Sequence, residues 1–530
     1  MYMLRNALSL KLRAVALGGA MALVVALPAQ AQDPGTLRFA SITEPPGLTM
    51  HETASGATFV PLQAVYESLL RVDQDMNLLP HLAESWRQLD EASYEFKLRE
   101  GVTFHSGNPL TAETVKQTWD QHIGVDQAGF ATDMLEPVQE VIVKDELTLE
   151  IRLKRPHGPF PYHLTTPHTA ISDMAKYAEE GVEGLREEPS GTGPFMLDRW
   201  SRGAELVLKA NPNYWGGPVP VERIQFRFMP DAASRSIALQ TGEVDIVESV
   251  AAPDIPRLAS TAGTNVVDTY ELRAVLWVIN TRHDVLDDPA VRQAIAHAID
   301  YDLAMTTVLG EAGRPMHGFV PRETFGYKEY RYEYDPEGAA ALLEEAGWSK
   351  NASGFYEKDG EVLAWTHVSG QHLPQEVEVA EAIQTLLREF GVDMAIEVVD
   401  RVVHTSTMFE HASNAPDGPA PDFGTTQWDH GIRTGDASVA LDPIFTCEGQ
   451  RNFGHFCDPA YNKLIVEATS GLPAVDRLAR FADAQGILFE AVAAIPLYQP
   501  RITTASRDVV SNLRPTPTRM IYFHELELTR

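Results

Sequence analysis

Cysteine is scarce in this chain, two in 530 residues, at Cys447 and Cys457. That count excludes a disulfide-knitted scaffold and a multi-cysteine zinc fold. Basic residues are also few, 43 Lys+Arg against 74 Asp+Glu, for a formal net charge of −31. So acidic a surface argues against nucleic acid and anionic membranes as partners. Internal repeats and low-complexity tracts are missing. So are the motifs of common exported enzymes: no G-x-S-x-G elbow, no H-E-x-x-H and no phosphate loop. Carboxylate pairs are too frequent in an acidic chain for spacing to single out a glycosidase dyad, so an exported hydrolase stays only as an alternative.

What is present begins with a leader. "MYMLRNALSLKLR" carries Arg5, Lys11 and Arg13 and no acid, "AVALGGAMALVVALP" is apolar, and "AQA" ends at Ala31. This is the pattern of a cleavable signal peptide over residues 1–31. The apolar stretch is glycine-broken and short of the roughly twenty residues of a membrane span. A soluble, exported mature protein is expected, not membrane-embedded. The full chain's hydrophobic share of 44% excludes disorder, and the mature length exceeds one ordinary core, so two or more lobes are expected.

The mature chain alternates strands and helices. "TLRFASI" reads as a strand leading into a loop rich in Pro, Gly and Thr that contains Thr49. "VPLQAVYESLLRV" sets Leu62, Val65, Tyr66, Leu69 and Leu70 at helical spacing. "SYEFKLREGVTFHSG" alternates like a hairpin turning at Glu100-Gly101, and Thr111 is the N-cap signal for "TAETVKQTWDQHI". "IQFRFMPDAASRSIALQTGEVDIV" spells a β-α-β unit. "VLWVINT" is apolar throughout, as a strand buried on both faces would be. "DPAVRQAIAHAIDYDLAMTTVL" reads as one amphipathic helix, and two further helices end at glycines. The fold class is α/β.

"QWDHGIRTGDASV", Gln427 to Val439, lacks either period and reads as a polar, aromatic loop. Just beyond it, "CEGQRNFGHFC" offers two readings. In an oxidising compartment the cysteines would form a short-loop disulfide, the expectation here. Two thiolates with His455 could instead hold zinc, although C-x-x-C spacing is absent. His404 and His411 are a weak metal signal only.

"YESLLRVDQDMNLLPHLAESWRQLDEASYEFKLREGVTFHSGNPLTAETV", "GTGPF", "NPNYWGG", "QTGEVDI", "VRQAIAHAID" and "YDPEGAAALLEEAGW" together resemble family 5 of the bacterial extracellular solute-binding proteins, in the family's order. The resemblance spans the chain from about Leu37 onward. It implies a two-lobe periplasmic binding protein clamshell (type II) with an inserted domain. Carried over, residues 32–79, 190–279 and 496–530 form lobe I, 80–189 the inserted domain and 280–495 lobe II. "LWVIN" and "IPLYQ" would be the hinge strands. It also implies a monomer that carries a small-molecule or short-peptide ligand to ABC transporter permease subunits, without catalysis, cofactor or resident metal.

Peptide-binding members place an aspartate three residues after a tryptophan to pair with the ligand's amino terminus. Here Gly431 is third after Trp428, and counting back from Asp436 puts Arg433 at the anchor position. The ligand set the resemblance implies is Trp428 as an apolar platform, Arg433, Asp436, Asp429 and Thr49. An arginine at the anchor favours a carboxylate, as in glutathione-like or opine-like solutes; Asp429 as a displaced amine anchor is the alternative. A nickel chelate would have to use His168 and His430, since "TTPHTA" and "LDPIF" lack the residues of nickel binders. The cysteines match the disulfide of dipeptide-type members.

Overall fold

From Arg273 to Ile279 every residue after the arginine is apolar, and the strand they form is buried on both faces. Ala274, Leu276 and Val278 enter one hydrophobic cluster, while Val275, Trp277 and Ile279 enter another. A strand with two apolar faces has to lie between two covering layers. The computed structural model describes residues 34–49, 56–123, 130–413 and 422–530. The leader expected over 1–31 lies outside them.

A twelve-stranded mixed sheet carries the architecture. In its first half, Thr36–Ser41 pairs in parallel with both Arg223–Phe228 and Ile246–Val247. The helix Ala232–Thr241 links the latter two, as parallel strands require. The second half centres on Arg273–Ile279, flanked by Thr425–Gly431 and Ala494–Arg507. Ala494–Arg507 serves both halves: its start pairs with Arg273–Ile279 and Arg501–Arg507 pairs with Thr264–Tyr270. A separate four-stranded antiparallel sheet, running from Ala83–Asp90 to Thr148–Leu153, packs its own cluster around Phe96, Trp119 and Phe160. Thr111 caps the helix Ala112–Asp120 there, accepting from Thr114 N–H.

"GTGPF" explains how two segments meet. A Cβ on Gly191 would stand 2.0 Å from the Val65 carbonyl oxygen, and one on Gly193 2.6 Å from it. Only glycine lets the backbones approach this closely.

Four expectations need correction. The helix expected over 60–72 ends at Leu62, and Leu70–Val72 is a strand. Its apolar residues are all buried, but the backbone is committed elsewhere: Val65 O accepts from Gly193 N and Leu70 N donates to Leu164 O. Ser93–Leu98 is a strand, yet it pairs with Ala83–Asp90 and Thr148–Leu153, not across Glu100-Gly101. The helix expected over 288–309 is two, Pro289–Ala298 and Tyr301–Leu309. Ile299 is extended (φ −125°, ψ 140°), and Asp300 caps the second helix by accepting from Leu303 N–H. Finally, Gln427–Gly431 is not loop but the end of the strand Thr425–Gly431. Pairing with the buried strand 273–279 overrides its polar composition.

Candidate ligand-binding cleft

A cavity of about 570 Å³ lies where Thr264–Tyr270 gives way to Arg273–Ile279. That volume suits a small ligand. Phe59, Gln63 and Pro517–Met520 line it from the first half, Thr165–His168 from the segment after the small sheet, and Glu271–Arg273, His372, Leu373, Arg401, Asp429 and Gly431–Arg433 from the second. Four arginines (273, 401, 433 and 519) face two carboxylates, Glu271 and Asp429. The wall is cationic although the protein is strongly acidic.

Both carboxylates are already engaged. Glu271 accepts from Arg273 Nη2 at 3.1 Å and from Arg519 Nη2 at 3.0 Å. Burial alone would raise its carboxyl, but the two guanidiniums prevail and hold it at about 2. Arg273 also ion-pairs with Asp429 Oδ2. The strand register explains this contact: Val275 lies opposite Asp429 and Arg273 opposite Gly431, so Arg273 and Asp429 are diagonal neighbours on one face. Burial by itself would lower the Arg273 pKa; Glu271 and Asp429 raise it instead.

The residues singled out from the sequence separate into two groups. Asp429 and Arg433 line the cavity. Trp428 does not: it points to the opposite face of its strand and is 7% exposed. Its ring packs on Phe453 with centroids 4.4 Å apart and backs His372 and His404. Asp436 is fully buried away from the cavity, where it accepts from Arg477 Nη2 at 2.6 Å and from Ser438 Oγ at 2.6 Å. Its expected ligand role therefore gives way to a structural ion pair that fixes the start of the helix Ser438–Phe445. Thr49 is buried and is not among the lining residues. Cys447 and Cys457 are disulfide-bonded, with Cα atoms 4.4 Å apart.

Of the histidines considered for nickel, His168 lines the cavity but packs edge-on against Phe59. The Nε2 of His430 lies 2.8 Å from the Val439 carbonyl, a hydrogen bond that fixes its ring. Sequence reasoning missed Glu271, Arg273, His372, Arg401 and Arg519. The charged pair at the mouth of the apolar "VLWVIN" was a signal for the first two. No local pattern marks Arg519, which folding alone brings to the wall.

A family model described as bacterial extracellular solute-binding proteins, family 5 (middle), matches residues 77–452. The chain belongs to that family. Di/tripeptide-binding protein 2 of Pseudomonas aeruginosa is 28% identical to it, over 94% of this chain and 96% of that protein. The glutathione-binding protein of Pectobacterium atrosepticum is 24% identical, over 88% and 89%. The solved structure of HbpA2 from Haemophilus parasuis superposes with a TM-score of 0.82 at 24% identity, covering 93% of this chain and all of that one. The family 5 fold is the type II clamshell with an additional domain, as the sequence led us to expect. Its members are extracellular or periplasmic binding proteins that serve ABC permeases. No helix among the described residues is long and apolar enough to cross a membrane.

Proposed function

We propose that this family 5 protein is the periplasmic binding component of an ABC importer for a small, carboxylate-bearing peptide or peptide-like solute of the glutathione or opine kind. One observation carries the reading: among the described residues four arginines line the cavity against two carboxylates, and each of these carboxylates already pairs with Arg273, Glu271 with Arg519 as well. Arg433 and Arg401 line the same wall, and a guanidinium receives a carboxylate through two parallel hydrogen bonds. The protein acts by binding alone, as a monomer. Lobe I is 32–79, 190–279 and 496–530, the inserted domain 80–189 and lobe II 280–495. A ligand that bridges Arg433 in lobe II and Arg519 in lobe I favours the closed state by its contacts to both.

Thermal shift across peptides, opines and chelated metals is the first test, because a true ligand stabilises the folded state by mass action. Stabilisation should concentrate in carboxylate-bearing compounds. Arg433→Ala should then weaken their binding by about 2–5 kcal/mol, read by calorimetry. A change of only a few tenths, with stability intact, would show that Arg433 does not hold the ligand. Turnover of a panel member at enzyme-like rates would replace this reading with the exported hydrolase, and stabilisation by a nickel chelate alone would replace it with the metal-chelate importer.

A further inference from the structure

His372 reaches the cavity wall on a tightly held loop that the reading above does not use. The buried carboxylate of Glu376 accepts from Ser369 Oγ at 2.8 Å and from the backbone N–H groups of Gly370 (2.7 Å) and His372 (2.5 Å). This grip keeps Gln371 in the left-handed region, φ 54°. Gly370 makes room for the two rings behind it: a Cβ there would stand 2.5 Å from His404 Nδ1 and 2.6 Å from His372 Nε2.

The bonding order places each proton. Thr426 Oγ has one hydrogen, which it donates to the Val368 carbonyl at 2.9 Å. It therefore accepts from His404 Nε2, also at 2.9 Å. A neutral His404 protonated there has a bare Nδ1, which accepts from His372 Nε2 at 2.9 Å. Neutral His372 is left with a bare Nδ1, 3.8 Å from Asp429 Oδ1. That separation is too long for a hydrogen bond, and both atoms are acceptors. Arg273 occupies Oδ2 of the same carboxylate. Two acceptors thus face one another at the cavity wall, and the His372 side chain is only 8% exposed.

We infer that His372 Nδ1 and Asp429 Oδ1 jointly receive an N–H donor of the ligand, an ammonium group, and that Thr426 and His404 position His372 to do so. One ligand nitrogen can lie within hydrogen-bond distance of both atoms. The charge of Asp429 favours an ammonium over a hydroxyl. Combined with a carboxylate on Arg433, the ligand is an amino-acid-type zwitterion. The inference rests on this cavity being the ligand site; it does not need the carboxylate contact. Burial opposes protonation of His372 most, with Arg401 and Arg273 on the same side and Asp429 and Glu376 against them, and the outcome is a lowered pKa and a neutral ring near pH 7.

Selective ¹⁵N-histidine NMR of the whole protein tests the positions of the protons without any ligand. At pH 7.5 both His372 and His404 should carry their proton on Nε2; a proton on His372 Nδ1 overturns the proposal. Binding is then measured for a library of di- and tripeptides and carboxyalkyl amino acids, each with its N-acetylated and its esterified form. N-acetylation should cost at least tenfold in affinity on the natural protein and far less on His372→Phe. Thr426→Val, remote from the cavity, should reproduce part of that loss, with rescue by Thr426→Ser. Affinity for free-amine compounds should also fall once His372 becomes protonated below pH 6.5, by up to about tenfold per pH unit, while acetylated forms stay level. Equal affinity for free and acetylated forms overturns the amine contact and leaves the carboxylate reading standing. Equal affinity for free and esterified forms does the reverse. A library in which no amine-bearing member binds overturns both.

Discussion

Arg433 and Asp436 lie in one polar stretch, yet the fold gives them opposite tasks. Arg433 faces the cavity, whereas Asp436 is enclosed with Arg477, at 0% and 8% side-chain exposure. Gly435 between them has φ 75°, a turn that sends the next residue into the core. Composition could nominate both residues but could not say which side of that turn each would face. Removing one member of a buried pair strands the other, at a cost of about 3–5 kcal/mol. Arg477→Ala should therefore lower the free energy of unfolding by that order in denaturant titrations. The folded fraction should bind ligand within about twofold of the unaltered protein, because neither partner lines the cleft. A variant with normal stability and lost binding would return Asp436 to the ligand set.

At the scale of elements, legibility followed the match between hydrophobic period and backbone partner. The β-α-β unit of 223–247 and the doubly buried strand 273–279 were readable because their patterns admit one structure. The segment 60–72 was misread because burial on every side imitates a helical stripe while its hydrogen bonds go to distant strands. Gln427–Gly431 was misread for the opposite reason: a polar stretch became a strand because a buried neighbour supplied the ladder. The disulfide was legible from compartment and spacing, and it closes the turn between the helices Ser438–Phe445 and Pro459–Thr469. Cys447→Ser with Cys457→Ser should lower stability by about 2–4 kcal/mol through the freed unfolded chain. Calorimetric affinity should hardly change, since neither cysteine lines the cavity. A large loss of affinity in a protein of unchanged stability would mean that the bond shapes the cleft.

For the whole molecule, the acidic composition gave no warning of an arginine-lined interior, because net charge sums the surface and the cleft is a small part of it. A second whole-molecule property follows from histidines held neutral inside. His367 and His404 are each 1% exposed, and burial first, then the neighbouring histidine, lowers them to about 3 and about 4. His367 Nδ1 accepts from Trp277 Nε1 at 3.0 Å, a bond that protonation would destroy. In the unfolded chain each ring titrates near 6.5. Below that pH the unfolded state takes up protons the folded state refuses, so stability present above 6.5 is lost as pH falls toward the folded values. Each ring contributes up to about 1.4 kcal/mol per pH unit. Glu271, held at about 2, adds its own loss only below its unfolded value of 4.5. Melting temperature should thus decline between pH 6.5 and 4.5, and a level profile from 7.5 to 4.5 would contradict the buried neutral rings. His367→Gln keeps an acceptor for Trp277 and removes one titrating group, so its stability should fall less steeply with acid, by one proton's share of the slope.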